Sequence, residues 1–168
     1  MAAHAHGADE IVRLTGDCPL IDPAVVDAVI TRRRHAGADY ATNTAPPTFP
    51  DGLDVECFTR NLLDRATRLA MRAPEREHVT LWMRGPDGAG TQVNLQALAD
   101  LSNLRLTVDY ADDLQVVRNI VDALAPTDTF DLYDILRVLA DHPQWLQGNP
   151  HARNEGLARS LAQEGMQT

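Results

Sequence analysis

The chain has 168 residues, 44% of them apolar and 23% charged, with no low-complexity run, which suits one globular domain able to bury about two-thirds of its unfolded surface. Its net charge of −9 argues against a nucleic-acid backbone as partner, because such a partner favours a basic face. It leaves a nucleotide open, since Mg²⁺ screens phosphates from nearby acids. The cysteines, Cys18 and Cys57, make neither a disulfide framework nor a zinc pattern and read as reduced packing residues. No apolar run reaches the length of a membrane span and no signal-peptide core is visible, so a cytoplasmic protein is expected. All 15 basic residues are arginine, so no lysine is present to hold a phosphate.

Residues 1–8 read as the end of a helix, and residues 10–15 as a strand. Asp22-Pro23 opens a helix, with Asp as N-cap and Pro at the first helical position, and Val25, Val26, Val29 and Ile30 form its apolar face. Gly37 stops it. A short strand at 39–43 leads into "TAPPTFPDG", a proline-rich loop, and "LDVECF" alternates as a strand. Helices are expected at 60–72 and from 74 to 82 or 83, followed by the turn "GPDGAG". "TQVNLQA" and, more strongly, "LRLTVD" read as strands. Helix 111–124 presents Leu114, Val117, Ile120, Val121 and Leu124, and a further helix opens at Thr129 or Asp131 and runs through Ala140. The stretch from His142 is polar, with a helix at 153–164. No repeat and no linker divides the chain, so the order is that of a single α/β domain.

In open α/β sheets ligands sit beyond the carboxyl ends of the strands. Asp17, in "IVRLTGDCPLIDP", follows strand 10–15, and Asp109 ends the segment 104–108. Two carboxylates facing one crevice suit Mg²⁺, which commonly takes one or two carboxylates together with phosphate oxygens and water. Other roles stand beside this one. Asp109 also suits the N-cap of helix 111–124, with Asp112 three residues on, and Asp17 suits bonds to loop amides.

"VRLTGDCPLIDP", "ADYATNTAPPTFPDGLDVECF", "EREHVTLWMR" and "LRLTVDYADDLQVV" together resemble the cytidylyltransferase family of spore coat polysaccharide biosynthesis, which is related to the synthetases of CMP-activated acidic sugars. The resemblance runs over about residues 8–161, "RNEG" at 153–156 included, and leaves 162–168 as a tail. It implies a Rossmann-like nucleotidyltransferase, three-layer α/β/α with a mixed sheet, coupling CTP to a sugar with release of pyrophosphate. It implies Asp17 and Asp109 as catalytic Mg²⁺ ligands. It also implies that the loop with Asp51, Gly52, Asp54 and Glu56 shapes the sugar side of the cleft, with Gly16, Asn43 and His78 nearby. The second metal motif, usually Asp-Thr-Pro-Glu-Asp-Leu, here reads Asp-Tyr-Ala-Asp-Asp-Leu and keeps its acid.

The family's opening loop, Arg-x-x-Ser-x-Arg-Leu-Pro-x-Lys, cradles the CTP phosphates, and these 168 residues contain no such segment. The resemblance therefore covers the C-terminal part of a member, with the N-terminal nucleotide-binding part missing. Two expectations follow. One is a CTP-dependent enzyme completed by a further N-terminal segment or chain and inactive alone. The other is a non-catalytic remnant that binds a sugar or a partner, prone to self-association through an apolar sheet edge.

Plainer roles remain open for single residues: His78 as a helix-surface histidine, "RRR" at 32–34 as cations suited to a helix C-terminus, and Asp51, Asp54 and Glu56 as turn and strand-face acids. Cys18 has no evident base partner, and Trp82 and Trp145 read as packing residues.

Overall fold

The protein is seen in a computed structural model that describes residues 2–88, 90–147, 151–153 and 155–165. Met1, Ala89 of the "GPDGAG" turn, residues 148–150, Asn154 of "RNEG" and residues 166–168 of the tail lie outside the described residues.

Four short strands form one mixed sheet: β1 (Glu10–Arg13), β2 (Tyr40–Thr42), β3 (Glu56–Thr59) and β4 (Gln92–Asn94), in the order β1-β3-β2-β4. β3 is antiparallel to both neighbours, and β2 pairs with β4 in parallel. The register aligns Val12, Cys57, Ala41 and Val93 across one face, and Ile11, Phe58 and Tyr40 across the other. Period-two alternation thus presents apolar rows to both sides, which is why the sheet is covered twice.

Helix α1 (Ala2–Ala5) precedes β1. Over the first face lie α2 (Pro23–Ala36), α6 (Ala111–Leu124) and α7 (Leu132–Asp141), through Val25, Val29, Val117, Ile120, Ile135 and Leu139. Over the second lie α3 (Arg60–Leu69) and α5 (Leu81–Arg84), through Leu62, Ala66, Trp82 and Met83, beneath the stacked rings of Tyr40 and Phe58. Between α3 and α5 comes α4 (Ala73–Glu77); a 3₁₀ turn (Pro143–Leu146) and α8 (Glu155–Gly165) end the described chain. The architecture is three-layer α/β/α. Among the described residues no helix is long and apolar enough to cross a membrane.

Local chemistry sets the helix ends. Asp22 accepts from Ala24 N (2.7 Å) to cap α2, and its other oxygen accepts from Leu132 N (2.9 Å) at the start of α7. Gly37, at φ +59, closes α2 in the left-handed conformation. The adjacent arginines are structural: Arg33 and Arg34 donate to Glu10 of β1 at 2.7 and 2.9 Å.

Several elements differ from the sequence reading. The strand read over "LDVECF" begins at Glu56, and the helix read over 60–72 ends at Leu69. "LRLTVD" is extended but is not a strand. Its amides and carbonyls alternate between two loop residues, with Asp51 N donating to Leu104 O, Leu106 N to Asp51 O and Val108 N to Asp17 O, so only one bridge forms. The helix expected at 74–83 is broken at Val79, whose φ is +20, into α4 and α5. The strand expected at 10–15 ends at Arg13, with Leu14 turned to solvent.

Candidate functional site

β1, β2 and β4 point their carboxyl ends, and β3 its amino end, toward a cavity of about 540 Å³. Asp17, Asp51, Asp54, Glu56, His78 and Asp109 all line it.

At the rim, the turn after β1 carries Asp17. Its carbonyl accepts from Val108 N (2.8 Å) and Thr107 Oγ1 (3.0 Å). These two bonds join segments distant in sequence and bring Asp17 and Asp109 onto one lining. Neither Asp109 nor Asp112 caps α6. The N-cap position is Tyr110, and Asp113, buried inside the first turn, reaches back to accept from the amides of Asp109 (3.0 Å) and Tyr110 (3.2 Å). The Asp109 carboxylate, half exposed, is left at the cavity, where Oδ2 accepts from Arg105 Nη2 (2.7 Å).

The Asp51–Glu56 loop is held from below by Asn43. Asn43 Nδ2 donates to Leu53 O (2.7 Å) and its Oδ1 accepts from Val55 N (2.9 Å), so both ends of this buried amide are used and it does not line the cavity. Gly52, at φ +103, lets the loop lie against the 106–107 backbone. A Cβ there would come within 2.5 Å of Leu106 C and Thr107 N. Gly16 is different, since a side chain added there would meet open space.

Asp54 is paired with Arg153 Nη2, yet burial, which Arg153 opposes, pushes its carboxyl up to about 6. Burial also raises Asp51, against the pull of Arg153 and Arg105. At the floor, buried Glu56 accepts from Arg13 Nη1 (2.5 Å), Thr80 Oγ1 (2.8 Å) and the Tyr40 hydroxyl, with Arg84 Nε 3.9 Å away. His78 Nε2 lies 3.0 Å from Ser160 Oγ of α8, which also donates to Glu77 Oε2 (2.9 Å). α8 forms a wall of the cavity, pinned at its start by Tyr110 donating to Glu155 (2.9 Å), while Arg153 reaches Phe49 O (3.1 Å).

Cys18 also lines the cavity, but burial pushes its thiol up to about 11, which fits packing and not nucleophilic attack. The hard oxygens of Asp17 and Asp109 fit a small divalent cation that takes its other ligands from phosphate and water. Among the described residues no cluster of three or more His, Cys, Asp or Glu side chains is arranged to hold a metal ion.

Sequence reasoning missed the cations of the site. Arg13, Arg84 and Arg105 line the cavity and Arg153 borders it. All four stood inside stretches already singled out: Arg13 in "VRLTGDCPLIDP", Arg84 at the end of "EREHVTLWMR", Arg105 four residues before Asp109 and Arg153 at the head of "RNEG". Spacing gives no clue to which carboxylates an arginine will meet.

No family model matches the chain. It is 28% identical over 136 residues to the spore coat polysaccharide biosynthesis protein SpsF of Bacillus subtilis, covering 79% of this chain and 55% of that protein. It is 27% identical over 156 residues to an uncharacterized protein of Methanocaldococcus jannaschii, covering 91% of this chain and 59% of that one. Among solved structures, a cytidylyltransferase from Leptospira borgpetersenii superposes with a TM-score of 0.81 at 28% identity, covering 90% of this chain and 64% of the other. The chain thus spans somewhat more than half the length of the relatives it matches.

Proposed function

We propose that the chain is a member of the cytidylyltransferase family of spore coat polysaccharide biosynthesis, to whose proteins it is similar, and that its cavity serves the transfer of a cytidylyl group from CTP to a sugar. One observation carries the reading: Asp17 and Asp109, brought together by the bonds of Thr107 Oγ1 and Val108 N to the Asp17 carbonyl, share one cavity beyond the strand ends. In this reaction a sugar oxygen forms a bond to the α-phosphorus, the bond from that phosphorus to its bridging oxygen breaks, and pyrophosphate leaves. Asp17 and Asp109 are the residues to hold Mg²⁺, which when bound supplies charge stabilisation at the phosphates. The sugar is placed against Asp51, Asp54 and His78, which offer acceptors and a donor for hydroxyl groups. Asp54, with its carboxyl near 6, is suited to receive the hydroxyl proton.

Among the described residues the arginines of the cavity are each engaged with a carboxylate, Arg13 and Arg84 with Glu56 and Arg105 with Asp51, Asp109 and Asp113. That supports a division of labour in which this part of the fold presents cation and sugar, and a separate segment grips the triphosphate. The test is pyrophosphate release from CTP and Mg²⁺ across a panel of sugars, by the protein with any complementing segment. Turnover that Asp17→Ala and Asp109→Ala each reduce at least 100-fold is expected. Turnover indifferent to both substitutions would sink the assignment.

A further inference from the structure

Arg105 stands where three acidic segments meet. Its Nε and Nη2 form a fork on Asp113 Oδ1 and Oδ2, both at 2.8 Å, Nη1 donates to Asp51 Oδ2 (3.0 Å), and Nη2 also donates to Asp109 Oδ2 (2.7 Å). The Arg105 side chain is only 11% exposed and that of Asp113 is fully buried. Asp113 is itself locked by the amides of residues 109 and 110. The bidentate end of the guanidinium is therefore fixed, and Asp109 hangs on a fixed donor. Asp109 spends only Oδ2 in this way; among the described residues no hydrogen bond engages Oδ1. The same cation offsets the repulsion that Asp17 and Asp109 exert on Asp51.

We propose that Arg105 is a positioning residue for the cation site, fixing Asp109 through Oδ2 and tying the Asp51 loop to the same guanidinium, so that the rim acids are assembled before a divalent cation arrives. This rests on the assignment of Asp17 and Asp109 as cation ligands, and it adds the residue that orients one of them. Lysine keeps the charge but, as a point donor, does not reproduce the planar fork, so Arg105→Lys isolates geometry from charge.

The experiment titrates the chain with Mn²⁺, reading free ion by electron paramagnetic resonance and checking folding by near-ultraviolet circular dichroism. Arg105→Lys is expected to weaken Mn²⁺ binding about 10-fold with a native spectrum, the scale typical of losing a partner that orients a metal ligand. Should it not fold, the double variant Arg105→Gln with Asp113→Asn, which removes the buried charge from both sides, is expected to fold and show the same loss. Asp17→Ala and Asp109→Ala serve as references. If they abolish Mn²⁺ binding while folded Arg105 variants bind as the unaltered chain does, the positioning role is wrong and the cation site stands. If they leave binding intact, the cation site itself is wrong.

Discussion

Two cross-strand rows on the same face of the sheet, two residues apart, are built on opposite physics. Ile11, Phe58 and Tyr40 form an apolar row under α3 and α5. Arg13, Glu56 and Thr42 form the next row on that face, and Arg13 and Glu56 of this row line the cavity. Phe58 and Glu56 are almost equally buried, at 2% and 5% exposure. The first row is held by packing and non-directional burial. The second holds only because each oxygen of Glu56 meets a donor, Arg13 on one and Tyr40 and Thr80 on the other. Burial alone therefore does not mark the core. What separates the site from the core is whether the buried atoms depend on named partners.

The contrast can be broken by truncating each row. Phe58→Ala is expected to cost about 3–5 kcal/mol by chemical denaturation. Glu56→Ala should cost about 3 kcal/mol although it removes less apolar surface, since it strands Arg13 and two buried hydroxyls. The double variant Arg13→Met with Glu56→Leu should regain part of that loss, because the two charges leave together while the hydroxyls of Tyr40 and Thr80 still lack their acceptor. No such rescue is available to Phe58. A double variant no more stable than Glu56→Ala would show that the charged row is held by something other than its ion pair.

Gly52 sharpens the comparison at the level of the backbone. Alanine there faces both the positive φ and a 2.5 Å clash with the backbone of residues 106 and 107, where no flexible side chain gives way. We expect a loss of about 2 kcal/mol, with the Asp51 loop displaced from the 104–107 segment. Gly16→Ala, in open space, is the control and should change stability by less than about 0.5 kcal/mol. Equal effects at both positions would contradict the close approach.

These differences track what was legible in the sequence. α2 was bounded by Asp22-Pro23 and Gly37, and α6 and α7 by their apolar spacing, because caps and periodicity are local. The segment 104–108 carries strand-like residues but has loop residues 51 and 17 for neighbours, and no local pattern reports that. The acids that line the cavity were legible as acids at loop positions. Their partners were not, since Arg105 and Asp51 are 54 positions apart and meet only through the fold. The cap of α6 was misread by one residue for a related reason. Asp109 suits an N-cap better than Tyr110 does, but it is Asp113, held by Arg105, that accepts from the amides of residues 109 and 110.

An effect no larger than that at Gly52 concerns the pH response, where the cavity and the apolar core should part ways. Asp54 has its carboxyl raised by burial to about 6, from an ordinary value near 4. The folded state therefore favours the protonated form. That preference contributes stability fully below about pH 4, and the contribution is lost as pH rises toward 6 and stays lost above it. Asp51 is shifted in the same direction and remains in a variant that removes only Asp54. Between pH 4 and pH 7.5 the chain should lose on the order of 2 kcal/mol more stability than Asp54→Asn, which does not ionise. Phe58→Leu should give a profile parallel to that of the unaltered chain, because no titrating group near it is removed. Urea midpoints at the two pH values decide the matter. If Asp54→Asn also runs parallel to the unaltered chain, Asp54 is ionised throughout, Arg153 outweighs burial, and the proton acceptor for the sugar hydroxyl must be sought elsewhere in the cavity.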